Sequence, residues 1–241
     1  MKRYISVFEM ITRSSIYKVL LILVGMVSAE AISFYSTFQK YSETTRNVEE
    51  YIQRSDYDLI FKIAYVLITI VIVLPGMNLG STQSYTLQRL RIKEKRIFWL
   101  QALYNTMAYV LLWGAQLVTI LVSVLVYRNN LPKGATWNNQ SVFLLFYEND
   151  FMHSILPLED SPGWWVLGFL IVGTALVAAE FTKQQRRGKF AFEILLLVVA
   201  MLISFPRDVG YEFTFLAISL CIVYIIMGMR WILNKVDDGG E

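Results

Sequence analysis

Two charged side chains, Glu30 and Lys62, lie inside runs of sequence that are otherwise apolar. A carboxylate in hydrocarbon costs several kcal/mol unless it meets a counter-charge, a proton or water. An acid in such a run therefore marks either a structural ion pair or a path for a proton or substrate. Glu30 stands between halfway and two-thirds along its run, and Lys62 a few residues into the next. With a rise of about 1.5 Å per residue, a helical hairpin brings the two to similar depth. An ion pair between Glu30 and Lys62 is the expectation, and the residues leave both readings of Glu30 open. Lys62 also has the length to snorkel outward.

Other chemistry is sparse. His153 is the only histidine and Cys221 the only cysteine. Neither a histidine-based zinc site nor an intrachain disulfide is therefore expected. No Gly-rich phosphate loop, no HExxH and no GxSxG occurs in the sequence, which argues against ATP binding by this chain and against an enzyme. No cofactor is expected. Glu180 and Glu193 flank the basic run KQQRRGK and read as anchors at a membrane interface. Gln101, Asn105 and Gln116 fall on one apolar run, where polar side chains more often bridge helices than bind ligands.

The elements that must hold these residues are helices in a membrane. Of the 241 residues, 56% are hydrophobic and only 17% charged, a composition of membrane proteins. A bilayer core needs about 20 apolar residues per helical span. Six stretches qualify, about 16–38, 59–80, 97–127, 163–182, 190–206 and 213–232; the fifth is the shortest, holding Glu193 and ending at Pro206. Barrel strands would be shorter and alternating. The expected fold is an all-α integral membrane domain covering 1–241, with six transmembrane helices and no separate soluble domain.

Basic residues fix its orientation. Fifteen lie in the N-terminal segment, the loop after the second span, the 183–189 loop and the C-terminal tail, against six in the alternate loops. The positive-inside rule places both termini in the cytoplasm. Topology then accounts for the net charge of +3, and no nucleic-acid partner is implied.

Residues 1–14 carry Met1, Tyr4, Ile5, Phe8 and Ile11 at helical spacing, with charges mostly opposite. They read as an amphipathic helix lying in the headgroup region, in contact with lipid, and as an uncleaved start. The outer loop 39–58 is acidic and reads as a solvated connector. The outer loop 128–162 is turn-rich at first. Its SVFLLFYENDFMHSIL segment is apolar enough to rest on the membrane or dip into the bundle, as a lid or, more in keeping with its length, as a structural cap.

Between the second and third spans lies SYTLQRLRIKEKRIFWLQALYN, residues 84–105. It combines Arg89, Arg91, Lys93, Lys95 and Arg96 with Leu87, Leu90, Ile92 and Ile97, of which Leu87 and Leu90 share one helical face. A plain connector needs the charges for topology but not the apolar face.

That segment and the order of elements around it resemble the permease subunit of the type-2 ATP-binding-cassette exporter family. In that family the corresponding loop commonly follows a TL..LL pattern with a charged restart of the third helix. Here Thr86, Leu87 and Leu90 match the first part, and Ile92 to Ile97 occupy the restart. The resemblance implies a cytoplasmic coupling helix at about 83–91, within the loop 81–96, docked in a groove of a separate ATP-binding subunit. Thr86, Leu87, Arg89, Leu90 and Arg91 would make that contact. It further implies a second permease subunit, identical or similar, a bacterial plasma membrane, and export as the direction. The chain departs from the family in lacking a proline before the third helix and in placing its long outer loop between the third and fourth spans. The alternative is an accessory or sensory membrane protein without a transport path, whose basic loop binds a regulatory partner or anionic lipid.

Overall fold

The computed structural model describes residues 2–41, 48–74, 94–131, 140–158 and 161–186. Every element in them is helical: α1 (Lys2–Tyr41), α2 (Val48–Arg54), α3 (Tyr57–Val73), α4 (Glu94–Asn129), α5 (Ser141–Glu148), α6 (Asp150–Ile155) and α7 (Ser161–Arg186). Three stretches, Ile5–Tyr41, Lys95–Asn129 and Gly163–Gln185, are long and apolar enough to cross a membrane. They contain or overlap the first, third and fourth expected spans. The second corresponds to α3, whose 17 residues rise about 26 Å, just under the thickness of a bilayer core. The spans expected at 190–206 and 213–232 lie outside the described residues.

Cross-helix contacts set the topology. α1 runs parallel to α4: Ser15 Oγ donates to Tyr104 Oη at 2.8 Å near their starts, and the Phe38 and Tyr127 rings meet at 6.4 Å near their ends. α3 runs antiparallel to α4, with Tyr57 and Ser123 hydroxyls 2.6 Å apart at one end and Thr69 and Tyr109 hydroxyls 2.9 Å apart at the other. α7 is antiparallel too, since Trp164 stacks edge-on to Trp113 at 6.5 Å while Lys183 lies 5.4 Å from the Phe98 ring. The four long helices thus alternate in direction, with α4 touching α1, α3 and α7.

The outside of this bundle is apolar. Leu21, Val24 and Ile32 of α1 are 74%, 69% and 70% exposed, and Val118 of α4 is 60% exposed. Such a surface in water would favour aggregation; against lipid tails it carries no such penalty. Inside, threonine hydroxyls bond back to their own helix, as Thr69 to the Tyr65 carbonyl at 2.8 Å, Thr119 to Ala115 at 2.9 Å and Thr182 to Ala178 at 2.7 Å. Small residues at Ala102 and Ala179 let α4 and α7 pack closely.

Two expectations change. The N-terminal amphipathic segment, from Lys2 on, and the span 16–38 form one unbroken helix of 40 residues, about 60 Å long. Ser14 and Ser15, which look like a helix boundary, instead donate to the Ile11 carbonyl at 2.8 and 3.4 Å, so the chain winds through them. The buried stripe there is Val7, Ile11 and Ser15, facing Tyr104, whereas Ile5 is exposed.

The connector at 39–58 is also not simply solvated. Val48, Tyr51, Ile52 and Tyr57 are buried, and Tyr51 packs on Phe38 at 5.3 Å and Tyr127 at 5.6 Å. Ser33 Oγ donates to the Ser55 carbonyl at 2.8 Å. The turn into α3 uses Asp56 at φ 51°, ψ 33°, a left-handed conformation that aspartate tolerates better than most residues. Its acids Glu49, Glu50, Asp56 and Asp58 hide this apolar seal from a composition-based reading.

α5 and α6 form a second seal that enters the bundle. Asn149 caps α6 by accepting from the Met152 amide at 3.1 Å. Phe151, Met152 and Ile155 are buried, Phe151 lies 5.9 Å from Phe61, and Trp113 Nε1 donates to the Ile155 carbonyl at 2.8 Å. Trp113 stands 16 residues before Asn129 at the end of α4, about 24 Å of helix rise. The hairpin therefore dips well below the end of α4 and packs there against Trp113 and Phe61.

Where α2 meets α5, Glu49 faces Glu148. Burial first, then a hydrogen bond and repulsion from Glu148 and repulsion from Glu50, hold the Glu49 carboxyl above its ordinary range. A carboxyl raised on folding stabilises the fold fully below its unfolded value, and that contribution is lost as pH rises through the folded value. Wild-type protein in detergent should therefore melt higher on acidification from pH 7 towards the carboxylate range. Glu49→Gln should flatten that rise and raise the melting temperature at pH 7 by about 1–2 °C. An unchanged pH profile in Glu49→Gln would remove this contact from the account.

Candidate intramembrane site

One face of α4 is polar along most of its length. Gln101, Asn105, Tyr109, Gln116, Thr119, Ser123 and Tyr127 are all buried, at spacings that keep them on one side of a helix. Most find partners on the neighbouring helices or their own. Asn105 Nδ2 donates to the Ala175 carbonyl of α7 at 3.1 Å. Tyr109 and Thr69 share a hydrogen bond, and the Tyr65 ring lies 5.4 Å from that of Tyr109. Ser123 bonds Tyr57 of α3. These bonds tie α3 and α7 to α4 and satisfy most of the buried polar groups, although Asn105 Oδ1 has no partner among the described residues.

Glu30 breaks the pattern. It is fully buried on α1, and neither carboxylate oxygen has a hydrogen-bond partner among the described residues. The polar side chain facing it across the α1–α4 contact is Gln116. Gln116 is also fully buried, and its Oε1 and Nε2 likewise lack partners. The two groups are near enough to interact but are not aligned as a hydrogen bond. Glu30 lies 12 residues after Lys18 and 10 before Lys40, about 18 and 15 Å of helix, so it sits near the middle of the apolar stretch of α1.

The expected Glu30–Lys62 pair does not form. Lys62 Nζ pairs instead with Asp58 Oδ2 at 3.0 Å, one turn earlier on the same helix. A local i, i+4 partner near the bundle end keeps the ammonium partly exposed, whereas reaching Glu30 would desolvate it fully. Sequence spacing put Glu30 and Lys62 at similar depth, but Asp58 at i−4 is the nearer acid.

The other buried charges among the described residues are paired. Lys183 Nζ lies 3.3 Å from Glu180 Oε2, and Gln184 Nε2 donates to Glu180 Oε1 at 3.4 Å. Glu180, expected as an interface anchor, is thus a buried member of a pair on α7. Thr86, Leu87, Arg89, Leu90 and Arg91 lie outside the described residues, as does Glu193.

The residues that the sequence reading did not assign to a site, Tyr57, Thr69, Tyr109 and Ser123, are aromatic or hydroxyl side chains that merge into apolar runs. Their signal was the spacing of Asn105, Tyr109, Gln116, Thr119 and Ser123 along α4, at intervals of three, four or seven residues that keep to one helix face. In comparisons with known proteins, no family model, no curated protein and no solved structure matches this chain.

Proposed function

We propose that the chain is the membrane-spanning permease subunit of an ATP-driven transporter of the ABC type, working as an exporter with a separate ATPase. In this reading six helices cross a plasma membrane with both termini in the cytoplasm, and a second permease subunit, identical or similar, completes the path. The start of α1 rests in the cytoplasmic headgroup layer. The loop 81–96 carries the coupling helix.

The observation that carries the transport reading is the buried polar face of α4 inside an apolar-surfaced bundle, with an unpartnered carboxyl and amide at mid-depth. A purely structural membrane bundle has little use for stranded polar groups there. The α5–α6 hairpin adds a re-entrant element, placed here between the third and fourth spans. A second reading, an accessory membrane protein without a path, is favoured by the tight interior at Ile120, Met152 and Ile155, all fully buried.

Single-cysteine scanning separates the two. In a Cys221→Ser background, Gln116→Cys, Thr119→Cys and Ser123→Cys should react with a membrane-impermeant thiol reagent in cell membranes during ATP turnover. Lipid-facing Val118→Cys and Val122→Cys should not. Uniform protection of the polar face under turnover would rule out a path along α4.

A further inference from the structure

We propose that Glu30 and Gln116 together bind one proton in the membrane interior, as a carboxylic acid–carboxamide pair that joins α1 to α4. The inference does not depend on the transporter reading, because it follows from four stranded atoms. Glu30 Oε1 and Oε2 and Gln116 Oε1 and Nε2 are buried without partners among the described residues, on side chains that face each other.

Each ionisation state of this pair can be tested against hydrogen-bond inventory. An ionised carboxylate only accepts, so it can take one bond from the Gln116 amide nitrogen. It would then leave Gln116 Oε1 against a negative oxygen, with a bare charge near the middle of the hydrocarbon. A protonated carboxyl donates through its O–H to Gln116 Oε1 while Gln116 Nε2 donates to the remaining carboxyl oxygen. One proton and a rotation of either terminal group thus satisfy all four atoms in a closed ring of two hydrogen bonds. Which end of the amide carries oxygen is decided by such a network.

A metal cation fits less well. Hard cations take about six oxygens or more, and the stranded oxygens here number three. Among the described residues, no other group facing the site supplies a counter-charge. From α3 the titratable neighbour is Tyr57, whose hydroxyl is engaged with Ser123; from α4 it is neutral Gln116. The charges on α2, Glu49, Glu50 and Arg54, belong to the end of the bundle, and Arg54 pairs with Glu50. Lys62 pairs with Asp58.

The proton comes from water and returns to it, with no other bond made or broken. Its release strands a carboxylate between α1 and α4, so deprotonation and separation of these helices at Glu30 are linked. The pair is in that sense a proton-sensitive clasp.

Infrared difference spectroscopy of purified wild-type and Glu30→Gln protein at pH 7 tests this. Glu30→Gln keeps two hydrogen bonds as an amide–amide pair and should fold, with a melting temperature close to wild type. The wild type should show a protonated-carboxyl C=O band that Glu30→Gln lacks and that Gln116→Leu shifts to higher frequency. A hydrophobic carbodiimide, which attacks protonated carboxyls, should label the Glu30 peptide in wild type only. Absence of the band throughout pH 5–8, or its persistence in Glu30→Gln, overturns the proposal. So does a melting temperature that rises with sodium, at constant ionic strength against choline, in wild type but not in Glu30→Gln, which would assign the site to a metal cation.

Discussion

Met152→Ala lowers the unfolding free energy of the bundle by about 2–5 kcal/mol, the range for truncating a buried methionine in a packed core. The residue is fully buried on α6, with Phe151 and Ile155 beside it. Its helix is only six residues long, too short to hold itself together without tertiary contacts. Removing its central anchor therefore loosens the whole insert: the Asn149 cap, the Phe151–Phe61 contact and the Trp113 bond to the Ile155 carbonyl depend on it. Unfolding in mixed micelles measures the loss. Phe143→Ala, at a side chain that is 66% exposed on α5, changes little by comparison. Equal effects from the two substitutions would mean that the hairpin lies on the surface rather than within the bundle.

The long apolar runs made the principal helices legible, because a membrane span needs length and apolarity and little else. The expected span 97–127 falls within α4 and 163–182 within α7, and α3 begins at Tyr57, two residues before its expected start. Boundaries set by side-chain hydrogen bonding were harder to see. Ser14 and Ser15 suit a helix start as well as they suit bonding back to Ile11, and only the packed helix decides. α2 was hidden because four acids surround Val48, Tyr51 and Ile52, and their burial depends on Phe38 and Tyr127 from distant parts of the chain.

The site was legible in part for a similar reason. Glu30 stood out from sequence alone, since an acid in an apolar run is costly anywhere in the membrane. Its neighbour did not. Gln116 sits 86 residues away, and nothing local marks it over Gln101 or Asn105 until α1 and α4 are seen side by side in parallel. For Lys62 the sequence held the answer in Asp58 at i−4, where charge pairing on one helix needs no folding to bring the partners together.

The second large effect concerns the proposed coupling segment. If the loop docks on an ATPase as proposed, Leu87→Asp with Leu90→Asp replaces by charges the two apolar side chains that would fill its groove. Hot-spot side chains of this kind each carry about 2 kcal/mol or more, and burying an unpaired carboxylate adds to the loss. On that reading the two together should weaken ATPase docking by at least about a thousandfold, while the acids added to this basic loop should leave span insertion intact, since acids contribute little to orientation. Arg89→Ala and Arg91→Ala, which remove only peripheral pairing, weaken docking less.

The measurement that bears most directly on the account is purification of the tagged chain from its native membrane, with assay of the eluate for ATP hydrolysis and for a subunit bearing a phosphate-binding loop. Such an ATPase is expected to accompany the wild type and to be lost from the Leu87→Asp, Leu90→Asp protein at equal yield and melting temperature. An eluate without an ATPase, or one that retains it undiminished with the double substitution, would contradict it.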